Sequence, residues 1–285
     1  MLEGNKAIYG LIGYPVKHSL SPLMHNAAFK ALEVDAEYRL FELRREELDT
    51  FFNSLKDESS PVFGLNVTVP YKEEVIKYLD SLSPFAQKVL AINTIVISKE
   101  RKLIGYNTDA PGFMAHLSEL NFDVCAKKVA IIGAGGASRA IVSMLCLMPD
   151  KPKSILLYDI DKQRAEKLIS DLSQRIDTGI VKAVLSIDDL DIGNADLLIN
   201  ATPVGMKKDD PVLVEPELLH TSMLVYDLVY NPAQTVLLKI AKQRGADTAN
   251  GLGMLFYQGV LAFEHWANTR IEDDVKLKMR QALEQ

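Results

Sequence analysis

Val129-Ala130-Ile131-Ile132-Gly133-Ala134-Gly135-Gly136-Ala137-Ser138-Arg139-Ala140 decides how the rest of the chain is read. A short β-branched apolar run ends in a glycine-rich turn and passes directly into an apolar-periodic segment holding Ile141, Val142, Met144 and Leu145. That order predicts strand, tight loop and helix. Glycines let the backbone turn sharply and bring its N–H groups against a phosphate, and the helix that follows offers its unpaired amides and positive dipole end to the same anion. The full dinucleotide pattern has a third glycine three residues after the second, a place held here by Ser138. A second β-rich run, Ile155-Leu156-Leu157-Tyr158, ends in Asp159, 26 residues after Gly133. An acid at the tip of the second strand can accept hydrogen bonds from a ribose. Its alternative role is to cap the next helix, for which Asp161 is equally placed. Together these features predict a dinucleotide-binding domain, with Gly133, Ala134, Gly135, Gly136, Ala137, Ser138 and Asp159 against the cofactor.

Beyond Asp159 the βα alternation continues. Strands are expected near Val181–Val184, Asp196–Asn200, Leu224–Val229 and Asp247–Ala249, with helices between them. This gives a parallel, doubly wound sheet of about six strands. The breaker-rich segment Asn200-Ala201-Thr202-Pro203-Val204-Gly205-Met206 closes one strand where a cofactor ribose or nicotinamide would lie, and Tyr230-Asn231-Pro232 closes the next. The last stretch reads as two helices, Gly251–Asn268 and Glu272–Gln285.

On the other side of the glycine loop, Ala7–Gly13 reads as a buried strand, and Ser21-Pro22 as a helix opening with an N-cap serine. Strands follow at Glu37–Leu43 and Val62–Val67, the second running into Asn66-Val67-Thr68-Val69-Pro70-Tyr71-Lys72 and a helix carrying Val75, Ile76 and Leu79. Asn93-Thr94 opens a further strand, whose partner ends in Gly105-Tyr106-Asn107-Thr108-Asp109. Polar groups thus cluster at strand tips, where open α/β sheets bind ligands, although Asn, Thr and Asp are also common turn formers. The expected boundaries are residues 1–109 for a substrate-binding and catalytic domain and 110–250 for the dinucleotide domain. Helices in 251–285 would return to the first.

Composition bounds the function. At 285 residues, 48% hydrophobic and 25% charged, the chain has material for two ordinary domains. A net charge of −6 with scattered Lys and Arg argues against nucleic-acid binding. Two cysteines, Cys125 and Cys146, make no disulfide framework, and their apolar neighbours suit buried thiols in a reducing compartment. Five histidines show no metal-ligand spacing, so no metal is expected. No apolar run reaches membrane-spanning length, and the cytoplasm is the expected location.

A dinucleotide domain beside a polar pocket suggests hydride transfer to or from a small polar molecule. Carbonyl–alcohol interconversion needs a proton donor and acceptor within reach of the reacting oxygen. Lys72 and Asp109 are the best placed for this pair, with a solvated lysine and a helix-capping aspartate as the plainer alternatives.

The segments Ser19-Leu20-Ser21-Pro22, Asn66 to Lys72, Asn93-Thr94, Asn107-Thr108-Asp109, Gly133 to Ser138, Asn200 to Met206 and Gly251-Leu252-Gly253-Met254-Leu255 resemble, in order and over nearly the whole chain, the motifs of the shikimate dehydrogenase family. The resemblance implies reversible, nicotinamide-dependent reduction of 3-dehydroshikimate to shikimate, on the path to aromatic amino acids. It makes Lys72 and Asp109 the catalytic pair. Ser19 and Ser21, helped by Tyr230, would hold the substrate carboxylate, and Asn66, Thr68, Asn93 and Gln258 the ring hydroxyls. Thr202, Pro203, Val204, Met206, Gly251 and Met254 would complete the cofactor site, and the two domains would close on the ligands.

Three positions depart from the family pattern. Leu90 stands where a glycine is expected before Asn93-Thr94, and Ala110 where many members have glycine. At the second strand tip, NADP-using members resemble one another in carrying Asn-Arg, often with Thr. Here the tip is Asp159-Ile160-Asp161-Lys162. A carboxylate suits a free ribose 2′-OH and repels a 2′-phosphate, so NAD is expected over NADP, with Arg139, Lys162 and Arg164 as groups that could soften the preference. NAD use in the family often accompanies action on quinate, which is therefore the second substrate expected. The methylenetetrahydrofolate dehydrogenase type is a competing enzyme reading, disfavoured by Ser19/Ser21 and Asn107-Thr108-Asp109. A non-catalytic ligand-sensing homologue is another, disfavoured by the intact Lys72/Asp109 pair. Either a monomer or a homodimer fits the sequence.

Overall fold

The computed structural model describes residues 6–284 and separates into two units: residues up to Gly112 together with those from Leu255 onward, and Phe113–Met254. The first unit contains β1 (Ala7–Gly13), α1 (Ser21–Ala31), β2 (Ala36–Glu42), α2 (Leu48–Ser54), β3 (Val62–Val67), β4 (Ser81–Leu82), α3 (Pro84–Val89), β5 (Thr94–Ile97), β6 (Leu103–Tyr106) and the start of α4 (Asp109–Glu119). Its sheet runs β2-β1-β3-β5-β6-β4. β1 is parallel to β2 and β3, whereas β5 is antiparallel to both β3 and β6. β5 runs against its neighbours, and the hairpin that follows it restores the common direction in β6. In consequence the carboxyl ends of β1, β3 and β6 and the amino end of β5 lie along one edge of the sheet.

The second unit holds β7 (Lys128–Ile132), α5 (Gly136–Leu147), β8 (Ser154–Tyr158), α6 (Lys162–Ser173), β9 (Val181–Ala183), β10 (Leu197–Asn200), β11 (Leu224–Asp227), α7 (Val236–Gln243) and β12 (Asp247–Asn250). All six strands are parallel, in the order β12-β11-β10-β7-β8-β9. Alternate residues of a strand face opposite sides, and two cores result. Val129, Ile131, Leu197, Ile199 and Tyr226 pack with α5 and α6, while Ala130, Ile132, Leu198 and Val225 pack with α7. The strand order reverses between β7 and β10, the position where doubly wound sheets open a ligand crevice at their carboxyl edge.

Two last helices, α8 (Leu252–Ala267) and α9 (Asp273–Leu283), bring the chain back to the first unit. There α9 packs on α1, and the Trp266 Nε1–H donates to Ile95 O at 3.1 Å.

Several local expectations are corrected. Ser21 is not an N-cap: it is the first residue of α1, Leu20 holds the cap position, and its side chain makes no capping hydrogen bond. Val75 and Ile76 lie in a 3₁₀ turn, Glu74–Tyr78, and not in an α-helix. The connections flanking β10 hold only 3₁₀ turns (Asp188–Leu190, Ile192–Asn194 and Pro216–Leu218), because acids, glycine and proline interrupt any longer periodicity. Cys125 is exposed, in a turn where its N–H donates to Asp123 Oδ1; only Cys146 is buried. Among the described residues no helix is long and apolar enough to cross a membrane.

Candidate active site

In the first unit, the shared sheet edge gathers the polar strand tips. Lys72 follows β3, and its Nζ donates to Asp109 Oδ2 at 2.6 Å, with the two side chains 12% and 8% exposed. The other carboxylate oxygen of Asp109 accepts from Asn93 Nδ2 at 2.9 Å. Asn93 also faces Thr108 Oγ1 and Gln258 Oε1 through Nδ2, and its Oδ1 accepts from the Thr108 N–H at 2.7 Å. Asn93 therefore holds Thr108 and Asp109 in place, a role its position in the sequence does not announce. Burying an ion pair costs desolvation, offset only when its remaining lone pairs are satisfied; here Asn93 supplies that partner.

Asn66 is buried at the end of β3. Its Nδ2 donates to Asn93 O (3.0 Å) and Thr94 Oγ1 (3.1 Å), and its Oδ1 accepts from Tyr38 Oη at 2.8 Å. Both amide hydrogens are thus used, leaving Oδ1 as the atom that can meet a ligand hydroxyl. Tyr38 belongs to the site's support and was invisible in the sequence, where an aromatic on a strand reads as core. Thr68, half-buried, continues the edge by donating its N–H to Ile12 O. Ser19 lies on the loop after β1, and its Oγ bonds both the N–H (3.2 Å) and the Oγ (3.1 Å) of Ser21. Gln258 comes from α8, with its Nε2 on Leu255 O. Leu90 adopts the left-handed conformation (φ 53°, ψ 40°) just after α3, which explains why a glycine is expected there: the loop keeps its path and the leucine bears the strain.

In the second unit, Gly133 has φ +101°, and a Cβ there would lie 2.8 Å from Ala201 O. This position needs glycine. Beyond it, a Cβ on Gly135 would meet nothing within 4 Å. The helix α5 begins at Gly136 with no side-chain cap, so its first N–H groups lack intrahelical partners. Ser138 Oγ is buried beside them with no hydrogen-bond partner. Open space, uncapped amides and an orphaned hydroxyl at one helix start suit a pyrophosphate, so these residues fit a dinucleotide. Ala134 and Ala137 flank the same turn.

Asp159 follows β8. One of its oxygens accepts from the Ala134 N–H at 2.7 Å and the other from the Asp161 N–H at 2.9 Å, leaving further lone pairs for a ribose. Asp161 takes the capping role, accepting from the Gln163 N–H. Ile160 between them is 94% exposed. Arg139 is buried and its Nη2 bonds Asp171 at 3.0 Å, while Lys162 pairs with Glu166. Thr202, Pro203, Val204 and Met206 form the loop after β10, and Tyr230 lies half-buried on the loop after β11. Gly251 packs so closely on Leu228 that a Cβ would collide with the carbonyl oxygen, and Met254 is buried at the start of α8.

Comparison with known proteins gives a consistent answer. The family model described as "Shikimate dehydrogenase substrate binding domain" matches residues 11–95. A curated relative named shikimate dehydrogenase (NADP(+)), from Methanocaldococcus jannaschii, is 40% identical over 280 residues, covering 97% of this chain and 96% of its own. A crystal structure of shikimate 5-dehydrogenase from Listeria monocytogenes with shikimate and NAD is 36% identical over 96% of each chain, with a TM-score of 0.83. A quinate dehydrogenase from Corynebacterium glutamicum with NAD is 29% identical, covers 98% of this chain and 99% of that one, and has a TM-score of 0.85.

Proposed function

The chain belongs to the shikimate dehydrogenase family, and on that premise we propose that it is an NAD-preferring enzyme whose proton transfer is carried by Lys72 and Asp109. It is an oxidoreductase of the shikimate pathway, interconverting 3-dehydroshikimate and shikimate with a nicotinamide cofactor. The cofactor, when bound, supplies or accepts the hydride at the reacting carbon.

The observation that carries the catalytic assignment is the 2.6 Å contact between Lys72 Nζ and Asp109 Oδ2, nearly closed from solvent. In reduction, the Lys72 ammonium gives a proton to the carbonyl oxygen as it becomes an alcohol; in oxidation, the neutral amine takes the proton from the hydroxyl. Asp109 fixes Nζ in position and balances its charge, and Asn93 keeps the carboxylate from turning away. Ser19 and Ser21 bind the substrate carboxylate through hydroxyls, Asn66 Oδ1, Thr68 and Gln258 meet the ring hydroxyls, and the family resemblance adds Tyr230 as a further carboxylate ligand. Asn93 acts chiefly through Asp109.

The preference for NAD rests on the β8 tip. Asp159 presents a carboxylate where a 2′-phosphate would need a cation, Ile160 supplies none, and Arg139 is engaged by Asp171. Curated relatives at about 40% identity are named for NADP; the acidic tip is what favours NAD here. The test is a matrix of shikimate and quinate against NAD and NADP, followed by absorbance of the reduced cofactor. We expect shikimate with NAD to give the highest kcat/KM. A clear NADP preference would refute the cofactor assignment, and quinate outrunning shikimate would shift the substrate to that of the NAD-bound Corynebacterium enzyme.

A further inference from the structure

Asp227 ends β11 in register with Asn200 at the end of β10, and both are fully buried. Three donors converge on its carboxylate: Asn200 Nδ2 at 2.9 Å and the Val229 N–H at 3.0 Å on Oδ1, and Thr235 Oγ1 at 2.6 Å on Oδ2. All three are neutral. Burial accordingly pushes the Asp227 carboxyl above the usual carboxylate range, with the three hydrogen bonds opposing it.

Each donor belongs to a different part of the carboxyl edge. Asn200 shapes the loop after β10: its Oδ1 accepts from the Thr202 N–H (3.0 Å) and Oγ1 (2.7 Å), and its second amide hydrogen reaches Val204 O at 3.0 Å. Thr202 Oγ1 in turn accepts from the Val204 N–H at 3.1 Å. Val229 lies immediately before Tyr230. Thr235 closes that second loop and caps α7 through the Leu238 N–H. Gly205, at φ +108°, brings the first loop against Thr235, whose side chain would sit 3.2 Å from a Cβ on that glycine.

We propose that Asp227 is a positioning residue for the reaction, locking the loop of Thr202, Pro203, Val204 and Met206 to the loop of Tyr230 so that both loops keep the geometry the cofactor needs. A carboxylate accepts from all three donors at once, whereas the NH₂ of an asparagine would face the Thr235 hydroxyl and force it to accept instead of donate. An acid without a cationic partner is costly to bury, yet both of its oxygens are used for loop geometry. The inference rests on the proposed function's reading that these two loops flank the bound cofactor.

The experiment compares full-length wild type with Asp227→Asn, Thr235→Val and Thr235→Ser. It measures thermal melting, titration with NADH by its fluorescence in the absence of substrate, and kcat and KM for NAD and shikimate. We expect Asp227→Asn and Thr235→Val to remain folded at assay temperature. Their NADH affinity should weaken and their kcat fall by roughly tenfold to a hundredfold, the scale of an ångström-sized misplacement. Thr235→Ser, which keeps the hydroxyl, should stay within about twofold of wild type on the same scale. Lower melting temperatures with unchanged NADH binding and kcat would reduce Asp227 to a structural cap and overturn the proposal. So would a Thr235→Ser variant as impaired as Thr235→Val. If Asp227→Asn does not fold, the Thr235 pair decides alone. A wild type inactive on shikimate would refute the proposed function, and the NADH titrations would still judge Asp227.

Discussion

Mild acid should destabilise the first unit through His25. The ring is fully buried on α1, stacked on Tyr38 with 4.4 Å between centroids and 15° between planes, and flanked by Phe263 and Trp266. Neither ring nitrogen has a hydrogen-bond partner among the described residues. Burial therefore holds the ring neutral and lowers its pKa from 6.5 to about 3, the Asn66 side chain opposing this in part. The unfolded chain takes up a proton near pH 6.5 and the folded one only near pH 3. Stability from neutral His25 is thus complete above pH 6.5 and is lost as pH falls towards 3. At about 1.4 kcal/mol per pH unit, the loss is about 2 kcal/mol at pH 5 and about 5 kcal/mol at pH 3. The consequence reaches the site, because Tyr38 stacks on His25 and orients Asn66. Urea unfolding can be followed by Trp266, the only tryptophan, 5.0 Å from the His25 ring. His25→Phe keeps an aromatic face and cannot titrate. Between pH 7.5 and 5 the variant should lose about 2 kcal/mol less than wild type. Parallel losses in the two proteins would refute the reasoning.

Three further perturbations follow from the coordinates. Ile160→Arg places a guanidinium beside the proposed ribose end of the cofactor site and should raise kcat/KM for NADP by about tenfold, the worth of a charge-assisted contact; unchanged NADP kinetics would place the 2′ position elsewhere. Gly253→Ala would drive a Cβ into the His116 ring, which is held by Tyr226 Oη at 2.6 Å. It should cost about 2–3 kcal/mol in urea unfolding, and a loss under about 1 kcal/mol would show that the ring can move aside. Leu90→Gly relieves left-handed strain of about 1 kcal/mol while giving up a half-buried side chain. Its melting temperature should therefore fall far less than that of Val89→Gly, a truncation of the fully buried neighbour; equal losses would contradict the strain argument.

Much of the fold was legible because strand and helix periods alternate so regularly and because the glycine loop admits few conformations. The pairing of Lys72 with Asp109 could be read from chemistry at strand tips, since polar residues there have no packing reason to recur. What the sequence hid is how completely the protein uses its own amides. Asn66 and Asn93 look like free ligand contacts in a one-dimensional string, yet both are largely spent on Thr94, Thr108 and Asp109. Tyr38 and Asp227 sit inside strand-like runs whose apolar neighbours mask a polar purpose. Cys125 misled for a similar reason: Val124 and Ala126 suggest burial, but Ala126 turns at φ 56° and leaves the thiol outside. The strain at Leu90 belongs to backbone torsion, which a residue name does not reveal.

Lys72, held by Asp109, is the proposed carrier of the proton. The most direct test of that role is single-turnover oxidation of shikimate by Lys72→Ala, with NADH affinity measured on the same preparation. We expect a rate reduced by about 10²–10⁴-fold, the usual contribution of a positioned acid–base group, with cofactor affinity nearly unchanged because the glycine loop lies in the other unit. A variant turning over at close to the wild-type rate would contradict that role.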